Sequence, residues 1–311
     1  DLDIHGRYVR GSHRIWNMAR SISAAEIHEI CDLDSAIDSQ KQVFQNFARG
    51  SALLGPRAVL SQGDNAQFAY LARASELGPT IIKFGSVFPG NSGGPFPVVQ
   101  TSILVLSPKT GAVEYSFDGE AVTKLRTVAA SLVAIQALRK SEIRKISIVG
   151  VGHQGIAHAE ALRIKYPKAR IVGITDKKNL NQFDEVSQDI AATEGSDLII
   201  LSTNSTTPVF EKLIDKSTVG SSGSFAPNRS EVGPDLIKSA DRVVVDDVET
   251  ARKQCGAIVL AEQSAPIDIK GLGETLIKAS PEVSPEERNI YFSVGLGIQD
   301  AALVELILER L

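Results

Sequence analysis

The stretch Lys145-Ile-Ser-Ile-Val149-Gly150-Val-Gly152-His153-Gln154-Gly155-Ile-Ala-His158-Ala-Glu-Ala-Leu162 decides how this chain is read. A short β-branched run enters three glycines spaced G-x-G-x-x-G and leaves into an Ala-rich segment of helical character. Gly150 permits a tight turn, Gly152 lets the backbone approach a pyrophosphate, and Gly155 lets helix and strand pack closely. The helix N-terminus then offers free N–H groups and a partial positive charge to phosphates. Glycines at this spacing recur by chance in loops, so the strand before and the helix after carry the assignment. A second apolar strand ends at Asp176, about 20 residues past Gly155, where a carboxylate accepts hydrogen bonds from the adenosine ribose. An Asp at a strand end is ordinarily a turn former; behind this fingerprint it reads as a ribose ligand. Its charge repels a 2′-phosphate and favours NAD over NADP, with Lys177 and Lys178 placed to offset part of that repulsion.

Outward from this motif the second half alternates strand and helix. Strands are expected at 145–149, 170–175, 198–202, 218–222 and 243–246, with a first helix at 156–166, the grammar of a parallel, doubly wound sheet. Thr203, in Leu201-Ser-Thr203-Asn204, falls on the carboxyl edge of that sheet, where ligands bind. The first half differs. Residues 22–47 are helical in pattern, with Ser23 and Glu26 spaced as a capping box. Strand-length apolar runs at 67–72, 80–84, 98–107 and 112–118 then predict an antiparallel or mixed sheet. A long Ala-rich helix spans 118–139, and a final helix over 299–311 places Leu303, Leu306, Ile307 and Leu311 on one stripe that must dock. The expected fold class is α/β: a Rossmann-type doubly wound parallel sheet, here 128–292, plus an α+β lobe formed by 21–127 and completed by 293–311.

Composition agrees. The 311 residues are 43% hydrophobic and 23% charged, which excludes disordered, collagen-like and coiled-coil classes. A formal charge of -4 gives no electrostatic footprint for nucleic acid or an anionic membrane. The two cysteines, Cys31 and Cys255, lie far apart without metal or redox spacing, so no metal is expected. Reduced thiols, no uninterrupted apolar run of membrane-span length and no signal-peptide pattern point to the cytoplasm. Residues 1–20 hold the only Trp (Trp16), the only Met (Met18), His5 and His13. We read them as an expression-derived tail with Met18 as the native start.

Three cations stand ahead of the nucleotide motif: Arg57 after Gly55-Pro56, Lys83 inside the apolar run Thr80-Ile-Ile-Lys83-Phe84, and Arg126 before Thr127. Singly, each reads as a surface charge, since Lys and Arg are rarely buried. Together they would clamp a carboxylate, because Arg forks bind one bidentately and a Lys in an apolar strand can also exchange a proton. His153 presents its backbone to the turn and His158 lies on the first helix, so neither is given a catalytic role.

With these residues in place, the sequence resembles the ornithine cyclodeaminase/mu-crystallin family from about residue 22 to the end. The resemblance rests on Pro56-Arg57, Ile82-Lys83 with Phe88-Pro-Gly-Asn91, Thr110-Gly111 before Asp118-Gly119, and Thr123-Lys-Leu-Arg126-Thr127-Val-Ala-Ala130. It extends through the glycine motif to Pro227-Asn-Arg229-Ser-Glu231, Gly271-Leu-Gly273-Glu274, and Ser293-Val294-Gly295 with Asp300. It implies a homodimeric NAD(P)-dependent enzyme whose first lobe binds substrate. It further implies that Arg57, Lys83 and Arg126 hold the substrate carboxylate, with Lys83 catalytic. Arg126, Thr127, His153, Gln154, Asp176, Thr203, Ser224, Arg229 and Ser293 would join the three glycines at the nucleotide. Cyclodeaminases carry an acid two residues before the position of Pro227, where this chain has Phe225. Phenylalanine cannot take a proton or pair with an ammonium group. The expected activity is therefore reduction of a cyclic ketimine carboxylate, Δ1-pyrroline-2-carboxylate or Δ1-piperideine-2-carboxylate, to proline or pipecolate. Alternatives within the resemblance are reductive amination of a 2-oxo acid as in alanine dehydrogenase, condensation of two amino acids, ornithine cyclodeamination, and a binding protein without turnover.

Overall fold

The structure, a computed structural model, describes residues 19–311 except 140, 178–179, 212–215, 225, 279–282 and 285. The expected tail thus lies outside the described residues up to 18, while Arg20 already belongs to the fold.

The first lobe opens with β1 (Arg20–Ile22), α1 (Ala24–Ile30) and α2 (Leu33–Ala48). The capping box forms: Ser23 Oγ accepts from the Glu26 amide and the Ser23 amide donates to Glu26 Oε2 at 2.9 Å. The single helix expected over 22–47 is broken because Asp32 caps a new one, accepting from the Ser35 amide at 2.9 Å. Strands β2 (Leu53–Leu54), β3 (Ala58–Gln62), β4 (Asn65–Arg73), β5 (Thr80–Val87), β6 (Val99–Leu106) and β7 (Val113–Asp118) follow. They make one sheet in the order β1-β7-β6-β5-β4-β2, with β3 also paired to β4. It is mixed, since β1 alone runs parallel to its neighbour.

Asp118 caps α3 (Gly119–Leu138), accepting from two first-turn amides at 3.0 Å. This helix has the length and hydropathy of a membrane span, yet 72% of its apolar window is buried inside the protein. It packs on α2, β6 and β7 of the first lobe and on the second sheet as well. The expected division after residue 127 consequently falls inside one continuous helix shared by both lobes.

The second lobe contains β8 (Lys145–Val149), α4 (His153–Lys165), β9 (Arg170–Ile174), β10 (Glu185–Ser187), β11 (Leu198–Leu201) and β12 (Thr218–Ser221). The chain continues through α5 (Pro234–Lys238), β13 (Arg242–Val245), α6 (Val248–Gln254), α7 (Gly256–Glu262), β14 (Ile269–Gly271), α8 (Leu272–Ile277), β15 (Asn289–Phe292) and α9 (Gly297–Leu308). Among the described residues its eight strands are all parallel, in the order β10-β9-β8-β11-β12-β15-β13-β14. This is the doubly wound sheet the sequence predicts, with β15 inserted between β12 and β13. From β15 the chain crosses to the first lobe, where α9 packs on α2, α3 and β4. Burial along α9 exceeds the expected stripe: residues 297–304 are all buried, and Leu311 lies past its end, 44% exposed.

Helix α8 seats on α2 through Gly273, where a Cβ would run into the Phe44 carbonyl and lie 2.9 Å from the Ala48 Cβ. Gly273→Ala should cost about 1–3 kcal/mol and lower the melting temperature by several degrees in a calorimetric scan. At Gly90, where an added Cβ has nothing within 4 Å and φ is not left-handed, the same change should leave the melting temperature unmoved.

Candidate functional site

The glycine turn joins β8 to α4. Gly150 takes φ +88°, and a Cβ there would crowd the Ser202 carbonyl and the Thr203 side chain. Gly152 caps α4 with no side-chain acceptor on the first-turn amides, and the space above it is open. Among the described residues the buried Gln154 Oε1 has no hydrogen-bond partner. Open space above a glycine and uncapped amides at a helix of 13 residues fit a dinucleotide pyrophosphate, which takes donors. His153 is solvent-exposed, 3.6 Å from Glu120. His158 is buried: Nδ1 donates to the Gln154 carbonyl at 2.7 Å, which leaves Nε2 to accept from Ser131 Oγ at 2.9 Å. Burial pushes its pKa down to about 4, so the ring is a neutral tie between α3 and α4.

Along the same sheet edge, Asp176 is exposed just beyond β9, and Lys177 Nζ donates to the Val151 carbonyl at 2.9 Å. Lys178 and Phe225 lie outside the described residues. Thr203, Ser221 and Gly223 are gathered by one buried carboxylate, Glu231. It accepts from the Thr203 amide at 2.5 Å, Thr203 Oγ1 at 2.9 Å, Ser221 Oγ at 2.7 Å and the Gly223 amide at 2.7 Å. Its own amide donates to Ser224 Oγ at 3.0 Å. Burial raises the Glu231 pKa and these donors oppose the rise. Arg229 reaches Asn204 Oδ1 at 3.4 Å. A second buried acid, Asp246, accepts from the Val294 and Gly295 amides, each at 2.8 Å, and lies 3.4 Å from Ser293 Oγ. Burial pushes its pKa up to about 6 against those amide bonds.

Across the lobe junction the structure brings Arg57, Lys83 and Arg126 to one place. Lys83 is buried on β5, directly opposite Tyr70 of β4 in the sheet register. Its Nζ donates to Thr123 Oγ1 at 2.5 Å and to Asp300 Oδ1 at 2.7 Å. Arg126 Nε lies 3.4 Å from the same Oδ1 without a hydrogen bond, and Nη1 donates to Gln299 Oε1 at 3.3 Å. Arg57 donates to Gln254 Oε1 at 3.2 Å and the Gly295 carbonyl at 3.0 Å, its guanidinium 5.2 Å from the Tyr70 ring centroid. The Tyr70 hydroxyl donates to Asp300 Oδ2 at 2.9 Å. Thr127 turns its hydroxyl back to the Thr123 carbonyl at 2.7 Å. Burial, helped by the nearby guanidinium groups, pushes the Lys83 pKa down to about 8 against the pull of Asp300. Burial alone would raise Asp300, but Lys83 and Arg126 outweigh it and hold the carboxyl below its usual range. A cavity of about 430 Å³ opens beside Arg57, Tyr70 and Gly295, walled on the far side by α6. A larger depression, about 660 Å³, is lined by Phe68, Phe84, Val99, Asp118 and Glu120 and by none of the three cations.

Tyr70 carries no sequence signal, being one aromatic in an alternating strand. Asp300, Glu231 and Gln299 do sit in or beside stretches that carry the family resemblance, but no local pattern says what they contact.

The chain from residue 18 to 311 matches the description "Ornithine cyclodeaminase/mu-crystallin family". It belongs to that family. It is 28% identical over 310 residues to an alanine dehydrogenase of Archaeoglobus fulgidus, covering 93% of this chain and 94% of the relative. It is 27% identical over 256 residues to Delta(1)-pyrroline-2-carboxylate reductase 2 of Burkholderia ambifaria, covering 78% and 81%. Among solved structures, the fold superposes with TM-score 0.84 on Thermococcus litoralis Delta(1)-pyrroline-2-carboxylate reductase in complex with NADH and L-proline. That match has 23% identity and covers 94% of this chain and 97% of the other.

Glu231→Ala would take the acceptor from two amides, that of Gly223 buried and that of Thr203 half-buried, and from two hydroxyls. It should destabilise the protein by about 3 kcal/mol, read as a fall in the urea midpoint, with Glu231→Gln losing less.

Proposed function

We propose that this protein reduces a cyclic ketimine carboxylate, Δ1-pyrroline-2-carboxylate or Δ1-piperideine-2-carboxylate, to proline or pipecolate. The observation that carries the reading is the meeting of Lys83 and Arg126 on one buried carboxylate, Asp300, with Arg57 held over the Tyr70 ring that hydrogen-bonds the same carboxylate, beside the lobe-junction cavity. Two guanidinium groups and one ammonium against a single Asp leave the cluster electropositive, suited to an anionic substrate. A nicotinamide dinucleotide, when bound, supplies the reducing equivalent. Gly150, Gly152, His153, Gln154 and Gly155 would hold its pyrophosphate side, and Asp176 its adenosine ribose. Arg126, Thr127, Thr203, Ser224, Arg229 and Ser293 would complete the contacts, with NAD preferred and Lys177 available to a 2′-phosphate.

Arg57 and Arg126 grip the substrate carboxylate and fix which face of the imine carbon is presented, turning an encounter into an oriented approach. Lys83, with its pKa near 8, is mostly protonated at neutral pH and holds a proton that can move toward the imine nitrogen. Asp300 keeps that ammonium in place.

A second reading, reductive amination of a small 2-oxo acid, is favoured by the full-length similarity to an alanine dehydrogenase; the same clamp would take its carboxylate. Cyclodeamination is disfavoured by Phe225 in place of an acid. A homodimer is supported by the open face of the first sheet, where Leu71 and Phe84 are 48% and 43% exposed. The buried free thiols Cys31 and Cys255 suit a cytoplasmic setting.

An NADH and NADPH oxidation screen over five- and six-membered cyclic imines and over pyruvate with ammonia tests the reading. Turnover is expected with an imine in the absence of ammonia, and turnover with the oxo acid and ammonia alone would replace it. Lys83→Ala should lower kcat/KM at least about a hundredfold; a loss within about twofold would remove Lys83 from the chemistry. Because the protonated amine is the active form, the rate of reduction should be level near neutrality and fall as pH rises through about 8.

A further inference from the structure

Arg57 and Asp300, the two ends of the cation cluster, are joined by one side chain that lacks charge. Tyr70 lies beneath the Arg57 guanidinium with its ring 5.2 Å from Cζ, and its hydroxyl donates to Asp300 Oδ2 at 2.9 Å. The opposite oxygen of that carboxylate takes Lys83 at 2.7 Å and lies 3.4 Å from Arg126. The ring cannot drift. A Cβ at Gly297 would lie 2.7 Å from two of its carbons, and Phe68 stacks on it at 6.2 Å between centroids with 13° between planes. Tyr70 is 5% exposed and lines the cavity beside Arg57.

We propose that Tyr70 is a positioning residue that sets the carboxylate clamp and the proton-holding lysine through two separable contacts, its ring face to Arg57 and its hydroxyl to Asp300. The inference rests on the ketimine reading for its kinetic form. The ring keeps a long, flexible cation over the cavity mouth, where it meets the substrate carboxylate. The hydroxyl occupies one oxygen of Asp300, so that the other is left to Lys83 and Arg126. The charged groups that face Lys83 are then Asp300 from α9, Arg126 from α3 and Arg57 from the loop after β2, with Thr123 as its neutral partner. A phenol donor on Asp300 disperses its negative charge and lessens its hold on the ammonium.

Two substitutions separate the contacts. Tyr70→Phe keeps the ring beneath Arg57 and removes the hydroxyl, whereas Tyr70→Leu removes both. For Tyr70→Phe the KM of the ketimine should stay within about twofold of wild type. Its alkaline limb in the kcat profile should move to higher pH, because Asp300 without its phenol draws harder on Lys83. For Tyr70→Leu the KM should also rise roughly three- to thirtyfold, the scale of a lost cation–π contact. Equal KM in the two variants, or an alkaline limb unmoved in Tyr70→Phe, would overturn the proposal. The Lys83 ammonium is followed independently by heteronuclear NMR of lysine-labelled protein, its signal assigned through Lys83→Arg. An upward shift of its titration midpoint in Tyr70→Phe supports the positioning role even if wild type reduces no cyclic ketimine, which would defeat the ketimine reading alone. An unshifted midpoint overturns the role even if the ketimine is turned over.

Discussion

The structure turns on a single buried carboxylate. Asp300 stands between Lys83 and Arg126 with no exposed surface of its own, and removing it would leave two cations facing each other in an apolar interior. A buried ion pair is seldom a net gain in stability, since desolvation offsets most of the attraction, but a buried charge without its partner costs several kcal/mol. Three cations against one carboxylate leave the cluster two positive charges in excess. That imbalance costs stability in a resting protein and becomes useful only when an anion arrives.

Supplying that carboxylate also explains the path of the C-terminal chain. Strand β15 enters the parallel sheet between β12 and β13, and the chain then leaves that sheet so that α9 can carry Gln299 and Asp300 into the first lobe. The crossing segment is held by Asp246, which accepts from the Val294 and Gly295 amides, and it returns the Gly295 carbonyl to Arg57. Glu231 does comparable work beside it on the same sheet edge, past β11 and β12, where Thr203 and Gly223 need acceptors for amides that the ladder cannot satisfy. Loops at the carboxyl ends of parallel strands are thus fixed from inside by acids, which leaves their outer surface free for a ligand.

This division between local and distant contacts sets what the sequence could reveal. The glycine turn, the Ser23 box and the α3 limits were legible because each is settled within a few residues, by caps, periodicity and sterics. The break at Asp32 was local too, but two strong helical patterns on either side hid it. Strands β1, β2 and β15 have two to four residues each and gain their identity only from partners such as Tyr115 or Arg242, far away in the chain. The three cations could be named because their residue types are unusual where they stand. Tyr70 could not, because its two defining contacts are made with Arg57 across the sheet and with Asp300, 230 residues on.

The electrostatics of the cluster tie binding to chemistry in the proposed reaction. In the free protein, burial and the two guanidinium groups hold the Lys83 pKa near 8, so a fraction of the amine is neutral at mildly alkaline pH. A substrate carboxylate seated on Arg57 and Arg126 adds negative charge within a few ångströms and cancels part of that field, which favours the ammonium form. Lys83 is therefore better protonated with an anion in place than without one. The charge that binds the substrate and the proton its reduction consumes are governed by the same excess of cations, and neither could be altered at Arg126 without disturbing the other.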